Sequence, residues 1–135
     1  MTCVQWNQSY NVDVKEIDGQ HQKLVGIMNK LCESIDGGVD DFVIDEIVQD
    51  MADYALTHFE TEEKYFREFD YKKTDEHIAQ HREFSQKVLS LQKDLREDKR
   101  NVSADAIGFL GQWFAEHVLK YDREYVECFH EHGLY

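Results

Sequence analysis

Thr74-Asp75-Glu76-His77-Ile78-Ala79-Gln80-His81-Arg82-Glu83-Phe84 sets two histidines four residues apart and a phenylalanine three further on. Val88, Leu91 and Leu95 continue the same spacing. One apolar stripe therefore runs along a helix predicted from about Asp75 to Leu95, with the histidines at its start. Thr74 stands where an N-cap belongs. Side chains four apart are neighbours on a helix face, so His77 and His81 can grip one object.

Three other segments have this period. The first, about Asp18 to Ile35, carries His21, Leu24, Val25, Met28, Leu31, Cys32 and Ile35, and Gly37-Gly38 ends it. The second, about Asp41 to Phe66, carries Ile47, Met51, Tyr54, Ala55, His58, Glu62, Tyr65 and Phe66. The fourth, about Ala104 to Cys128, carries Ala106, Leu110, Trp113, His117, Tyr121, Tyr125 and Cys128, with Ser103 as candidate N-cap. The chain has no proline, so polar and glycine-bearing links punctuate it: Asp36 to Asp40, Arg67 to Thr74 and Glu97 to Ser103. Links this short favour antiparallel neighbours. The expected fold is all-α: an up-down-up-down antiparallel four-helix bundle in one domain of 135 residues. Residues 1–17 are read as an extended N-terminal arm anchored by Trp6 and Tyr10, 18–128 as the bundle and 129–135 as a tail.

The net charge is −13, from 15 basic and 28 acidic side chains. That sign disfavours nucleic acid and anionic lipid, and it attracts cations. No apolar run approaches the ~20 residues needed to span a membrane. Met1 to Tyr10 lacks the basic-then-apolar pattern of a secretory signal, so a cytoplasmic location is expected. Cys3, Cys32 and Cys128 include no Cys-x-x-Cys pair and are read as three free thiols.

Seven residues on the four stripes share one end of such a bundle. His21 opens the first helix, His58 and Glu62 close the second, His77 and His81 open the third, and His117 and Asp122 close the fourth. At ~1.5 Å rise per residue each group lies within roughly 5–15 Å of that end. Five imidazoles and two carboxylates in one layer suit a pair of iron ions, which take both ligand types well. His117 and Asp122 are five apart, which leaves them ~140° apart around a regular helix. Either Asp122 is a surface carboxylate, or a one-residue π-bulge between them brings it back to the site; the bulge is preferred, because the other six ligands need a second bridging carboxylate to balance two metals. His130 and His132 match no pattern and are read as surface residues. Glu60 and Glu63 are read as solvated.

The motifs Ile17-Asp18-Gly19-Gln20-His21, His58-Phe59-Glu60-Thr61-Glu62, His77-Ile78-Ala79-Gln80-His81, Trp113-Phe114-Ala115-Glu116-His117 and His117-Val118-Leu119-Lys120-Tyr121-Asp122 resemble the hemerythrin family, in its single-domain bacterial form. The resemblance covers about Trp6 to Tyr125. It implies that His77, His81 and His117 bind one iron, and that His21 and His58 bind another with an open position. It implies that Glu62 and Asp122 bridge the two, with an oxo or hydroxo group as a third bridge. It further implies reversible binding of dioxygen as a ligand of the open iron, for storage, delivery or sensing. Leu24, Phe59, Trp113, Phe114 and Val118 are expected to form an apolar dioxygen pocket, with Phe59, Trp113 and Val118 shielding the open iron. Where many relatives place leucine beside the tryptophan, this chain has Phe114.

Two further readings compete. One is a di-iron ferroxidase or peroxidase; the other is a sensor of redox state or nitric oxide. Carboxylate-rich di-iron bundles use Glu-x-x-His, a poor match to the His-x-x-x-Glu and His-x-x-x-His found here. An enzyme needs a general acid or base beside the open iron, and the expected pocket is apolar. A structural zinc site needs only four ligands. The chain is therefore read as a dioxygen binder and not an enzyme, with an oxygen-consuming enzyme as a possible recipient.

Overall fold

A computed structural model describes residues 5–38, 40–97 and 104–135. A 3-10 turn at Gln8–Tyr10 precedes α1 (Lys15–Asp36), α2 (Asp41–Phe69), α3 (Thr74–Glu97) and α4 (Ala104–His117). A π-helical turn, Val118–Asp122, then leads straight into α5 (Arg123–Glu131). These last three segments form one rod. α1 packs on α2 and α4, and α3 packs on α2 and α4, which closes an all-α four-helix bundle.

The stripes bury as their spacing requires. Met28 and Leu31 of α1, Val48 and Met51 of α2, Phe84 of α3 and Phe129 of α5 are at most 0% exposed. Sequence periodicity placed the helix centres well and their ends less well. α1 begins at Lys15, three residues before Asp18, with Glu16 and Asp18 in a first turn where acidic side chains meet the positive end of the helix dipole. α2 runs on to Phe69 and stops at Asp70, whose left-handed backbone (φ 50°) sends its N–H back to the Phe66 carbonyl. Asp40 caps α2 by accepting from the Phe42 N–H at 2.8 Å. Thr74 does not cap α3 from outside. It is the first residue of that helix, and its hydroxyl donates to the Tyr71 carbonyl at 2.6 Å. Ser103, the cap expected for α4, and Cys3 lie outside the described residues.

The arm is tied down at both of its sides. Val12 and Val14 are buried in the core. The Asp18 carboxylate accepts from the Val12 N–H at 2.7 Å. A ring nitrogen of His130 lies 2.9 Å from the Asp13 carbonyl, and Arg123 donates to the Ser9 carbonyl. His130 is thus a half-buried pin for the arm and not a free surface residue, whereas His132 is exposed. Asp18→Ala is expected to cost about 1.5 kcal/mol, as for a part-buried bond to a charged acceptor. Chemical unfolding would measure the loss, and hydrogen exchange should quicken at the Val12 amide.

Cys32 is disulfide-bonded, which corrects the reading of three free thiols. Spacing along a chain speaks to local pairs, whereas a disulfide depends on Cα atoms that the fold brings within about 7 Å. Cys128 is a free, half-buried thiol. Among the described residues no helix is long and apolar enough to cross a membrane.

Candidate metal centre

The described interior is apolar except in one layer. The buried polar or charged residues are His21, His58, Glu62, His77, His81, His117 and Asp122, and among the described residues there are no others in that class. These are the seven expected from spacing. Each is at most 3% exposed. They come from the start of α1, the end of α2, the start of α3 and the end of α4 with its π turn, which the antiparallel order stacks at one end.

The π turn is what brings Asp122 in. Its i→i+5 bonding puts residues five apart on one face, so His117 Nε2 and Asp122 Oδ1 are 3.0 Å apart instead of facing opposite ways. Asp122 Oδ1 also lies 2.9 Å from His77 Nε2, and Oδ2 lies 3.0 Å from His21 Nε2. Glu62 Oε1 lies 3.0 Å from His81 Nε2, 3.3 Å from His58 Nε2 and 3.8 Å from His77 Nε2. All five imidazoles therefore turn Nε2 inward to two carboxylates.

His81 Nε2 and Glu62 Oε1 form a hydrogen bond, but most of the other atoms are close without being paired. His21 Nε2, His77 Nε2, His117 Nε2, Glu62 Oε2 and both Asp122 oxygens have no hydrogen-bond partner although they are buried. Buried polar atoms are almost always satisfied. Lone pairs that converge on common points without aligning with one another fit a cation between them. Two overlapping sets meet that description, Glu62 with His77, His81 and His117, and Glu62 with His21, His58 and Asp122, each with its ligand atoms within 4.8 Å of one another. Glu62 belongs to both.

Electrostatics point the same way. Burial pushes both carboxylates up, and the Asp122 charge pushes Glu62 further, yet the imidazoles hold Glu62 and Asp122 well below the ordinary range. Burial opposes protonation of His81, but Glu62 and Glu63 raise it to about 9. At His21 burial is likewise outweighed, chiefly by Asp122, and the net shift is upward. At His58 burial prevails and the pKa falls. The cluster thus balances its carboxylates with imidazolium protons, and a divalent cation entering it displaces them.

Three neighbours of the site were not given a role in it from the sequence, although Tyr125 stands on the fourth apolar stripe. Glu63, expected in solvent, accepts at 2.9 Å from Nδ1 of His81. Its position on α2 faces α3, so a place next round the helix from Glu62 is still inside a helix pair. Gln20 Oε1 lies 2.7 Å from Nδ1 of His58. Tyr125 is fully buried with its ring centroid 5.6 Å from that of His77. Its hydroxyl leans toward Glu62 without reaching hydrogen-bond geometry. Burial, then the charges of Asp122 and Glu62, hold its pKa well above the usual phenol value.

The aromatic neighbours are arranged otherwise than expected. Trp113 is half-buried and stacks on His117, centroids 5.2 Å apart and planes within 9°, so it covers the three-histidine set. It precedes His117 by four residues and shares its face. Phe59 stacks on His81 at 4.0 Å and reaches His58 at 5.8 Å. The ring edge-on to His21, at 5.4 Å, belongs to Phe114. Phe114, one residue on from Trp113, is turned about 100° toward α1. Leu24 and Val118 are fully buried.

Comparison with known proteins agrees with this geometry. Residues 12–129 match the family described as "Hemerythrin HHE cation binding domain". A bacteriohemerythrin of Clostridium acetobutylicum is 31% identical over 129 residues, covering 90% of this chain and 98% of that protein. One from Pseudomonas aeruginosa is 26% identical, covering 95% and 82%. A crystal structure of wild-type hemerythrin superposes with a TM-score of 0.85 at 25% identity, covering 93% and 96%. A variant hemerythrin with a leucine changed to tyrosine superposes at 0.86 and 26% identity, covering 95% and 98%.

Proposed function

The chain belongs to the hemerythrin family, and on that premise we propose that its two ligand sets hold a pair of iron ions that bind dioxygen reversibly, for storage, delivery or sensing. The observation that carries the reading is the confinement of the seven buried polar or charged residues, among those described, to one layer, as two overlapping ligand sets. His77, His81 and His117 hold one ion. His21 and His58 would hold the other, with the Glu62 and Asp122 carboxylates reaching histidines of both groups. Iron in these sets supplies the electrons on which reversible dioxygen binding rests.

The chain's own residues favour binding over turnover. The second ion has one histidine fewer, which leaves it room for a small ligand. Phe114 and Phe59 border its histidines. Apolar walls keep water out and so slow the loss of an oxidised ligand. The enzyme reading has one observation in its favour, the buried Tyr125 phenol beside Glu62. A phenol held protonated can donate a hydrogen bond but cannot serve as a base at neutral pH. An oxygen-consuming enzyme is the partner that storage or delivery would require.

Metal analysis of protein loaded under anaerobic conditions should give about two irons per chain, as in other two-metal sites. Admitting dioxygen to the reduced protein should then produce a visible charge-transfer band that vanishes when the gas is removed, over repeated cycles. A single metal per chain, or a band that decays with sustained consumption of dioxygen and a reductant, would count against reversible binding.

A further inference from the structure

The two halves of the centre differ in what braces them from behind. His81 Nδ1 faces a Glu63 carboxylate oxygen at 2.9 Å, and His58 Nδ1 faces the Gln20 amide oxygen at 2.7 Å. The hydrogen-bond chain fixes these assignments. Thr61 donates its hydroxyl proton to the Thr57 carbonyl at 3.0 Å. It can therefore only accept from Gln20, whose Nε2 is 3.3 Å away, and that turns the Gln20 oxygen to His58. A carboxylate accepts only, so His81 must also carry its proton on Nδ1. His81 Nε2 is also hydrogen-bonded to Glu62, at 3.0 Å; once a cation takes the place of that proton, both histidines offer Nε2 inward as the same tautomer. Glu63 has a side chain 24% exposed, so its charge is partly but not wholly sheltered from solvent.

The remaining difference is charge. A carboxylate behind an imidazole draws its Nδ1 proton and makes Nε2 a stronger donor to a metal; a neutral amide does this far less. Resting on the metal-centre reading above, we propose that Glu63 is a positioning residue that makes the His77, His81 and His117 set the tighter and more electron-rich half of the pair. That half then fills first and holds the higher oxidation state more firmly. Gln20 keeps the other half looser, on the side where His21 and His58 leave room for a ligand. The sidedness of the centre thus comes from its outer hydrogen bonds as well as from its count of histidines.

Cobalt(II) tests this without iron redox chemistry, because its visible spectrum distinguishes six- from five-coordinate ions. Parent protein should take up two cobalt ions in two resolvable steps. Glu63→Gln keeps the shape and removes the charge. It should weaken the step with the three-histidine spectrum by about 10–100-fold, the usual range for an outer-shell partner, and leave the other step nearly unchanged. Gln20→Glu should tighten the other step, and the double exchange, Gln20→Glu with Glu63→Gln, should narrow or reverse the order of filling. In iron-loaded protein Glu63→Gln should also raise the reduction potential of the pair. Equal weakening of both steps, or no change in either, would overturn the proposal while leaving the metal centre intact. Failure of the parent itself to bind two cobalt ions would overturn both.

Discussion

Glu62→Gln is expected to empty the centre. Iron should fall from about two per chain to well below one, because this one carboxylate belongs to both ligand sets. Its Oε1 lies within 3.8 Å of Nε2 atoms on His58, His77 and His81. The amide preserves volume and removes the charge that two cations share. Loss of metal carries loss of stability. With free metal near 1,000 times Kd, a ligand that binds only the folded state contributes about 4 kcal/mol. The rise in melting temperature on adding metal should therefore be large for the parent and nearly absent for the variant. Elemental analysis and paired thermal scans would measure this. A variant that keeps both irons would show that Glu62 is not the shared ligand.

Phe114→Ala should have the second-largest effect, on two separate readouts. The side chain is 2% exposed and lies edge-on to His21, so its removal leaves a cavity that costs about 3–5 kcal/mol. Water in that cavity would stand next to the ion with the open position, and autoxidation should speed up several-fold. Phe114→Leu trims the ring and keeps most of the packing, so it separates access from unfolding. Trp113→Ala, by contrast, removes a half-buried ring from the other set and should change autoxidation less. If the tryptophan variant is the faster to oxidise, the ligand side has been placed at the wrong ion.

The contrast between Trp113 and Phe114 marks how far the sequence can be read. Helical period and link length were enough for the four rods, since burial of an amphipathic stripe leaves few alternatives. They were also enough for the seven converging residues, since hydrophilic side chains on an apolar stripe stand out. The π turn needed chemistry as well as arithmetic: a five-residue interval takes Asp122 off the face of His117 in a regular helix, and the need for a second bridging carboxylate favoured the distortion over a surface Asp122. What could not be read was whatever depends on rotation between helices. Glu63 sits where an isolated α2 would present it to water, yet α3 covers that angle. Phe114 and Trp113 are adjacent in sequence and serve different halves. Gln20 is paired across 38 positions, and no periodicity within α1 reports a partner on α2. Helix ends were misjudged by about one turn, as is usual where caps and not periods decide them.

The described residues keep their buried polar and charged side chains in one layer, and that arrangement makes protein lifetime depend on nutrient supply. Without a cation, unpaired carboxylate and imidazole atoms in the middle of an apolar bundle lower the free energy needed to open it. Cellular proteases act on opened molecules, and a difference of about 1–2 kcal/mol changes steady-state abundance several-fold. A cell short of iron is therefore expected to clear this chain quickly and to recover its amino acids. A cell well supplied should accumulate it at an unchanged rate of synthesis. Pulse–chase labelling with and without an iron chelator would show the two half-lives directly.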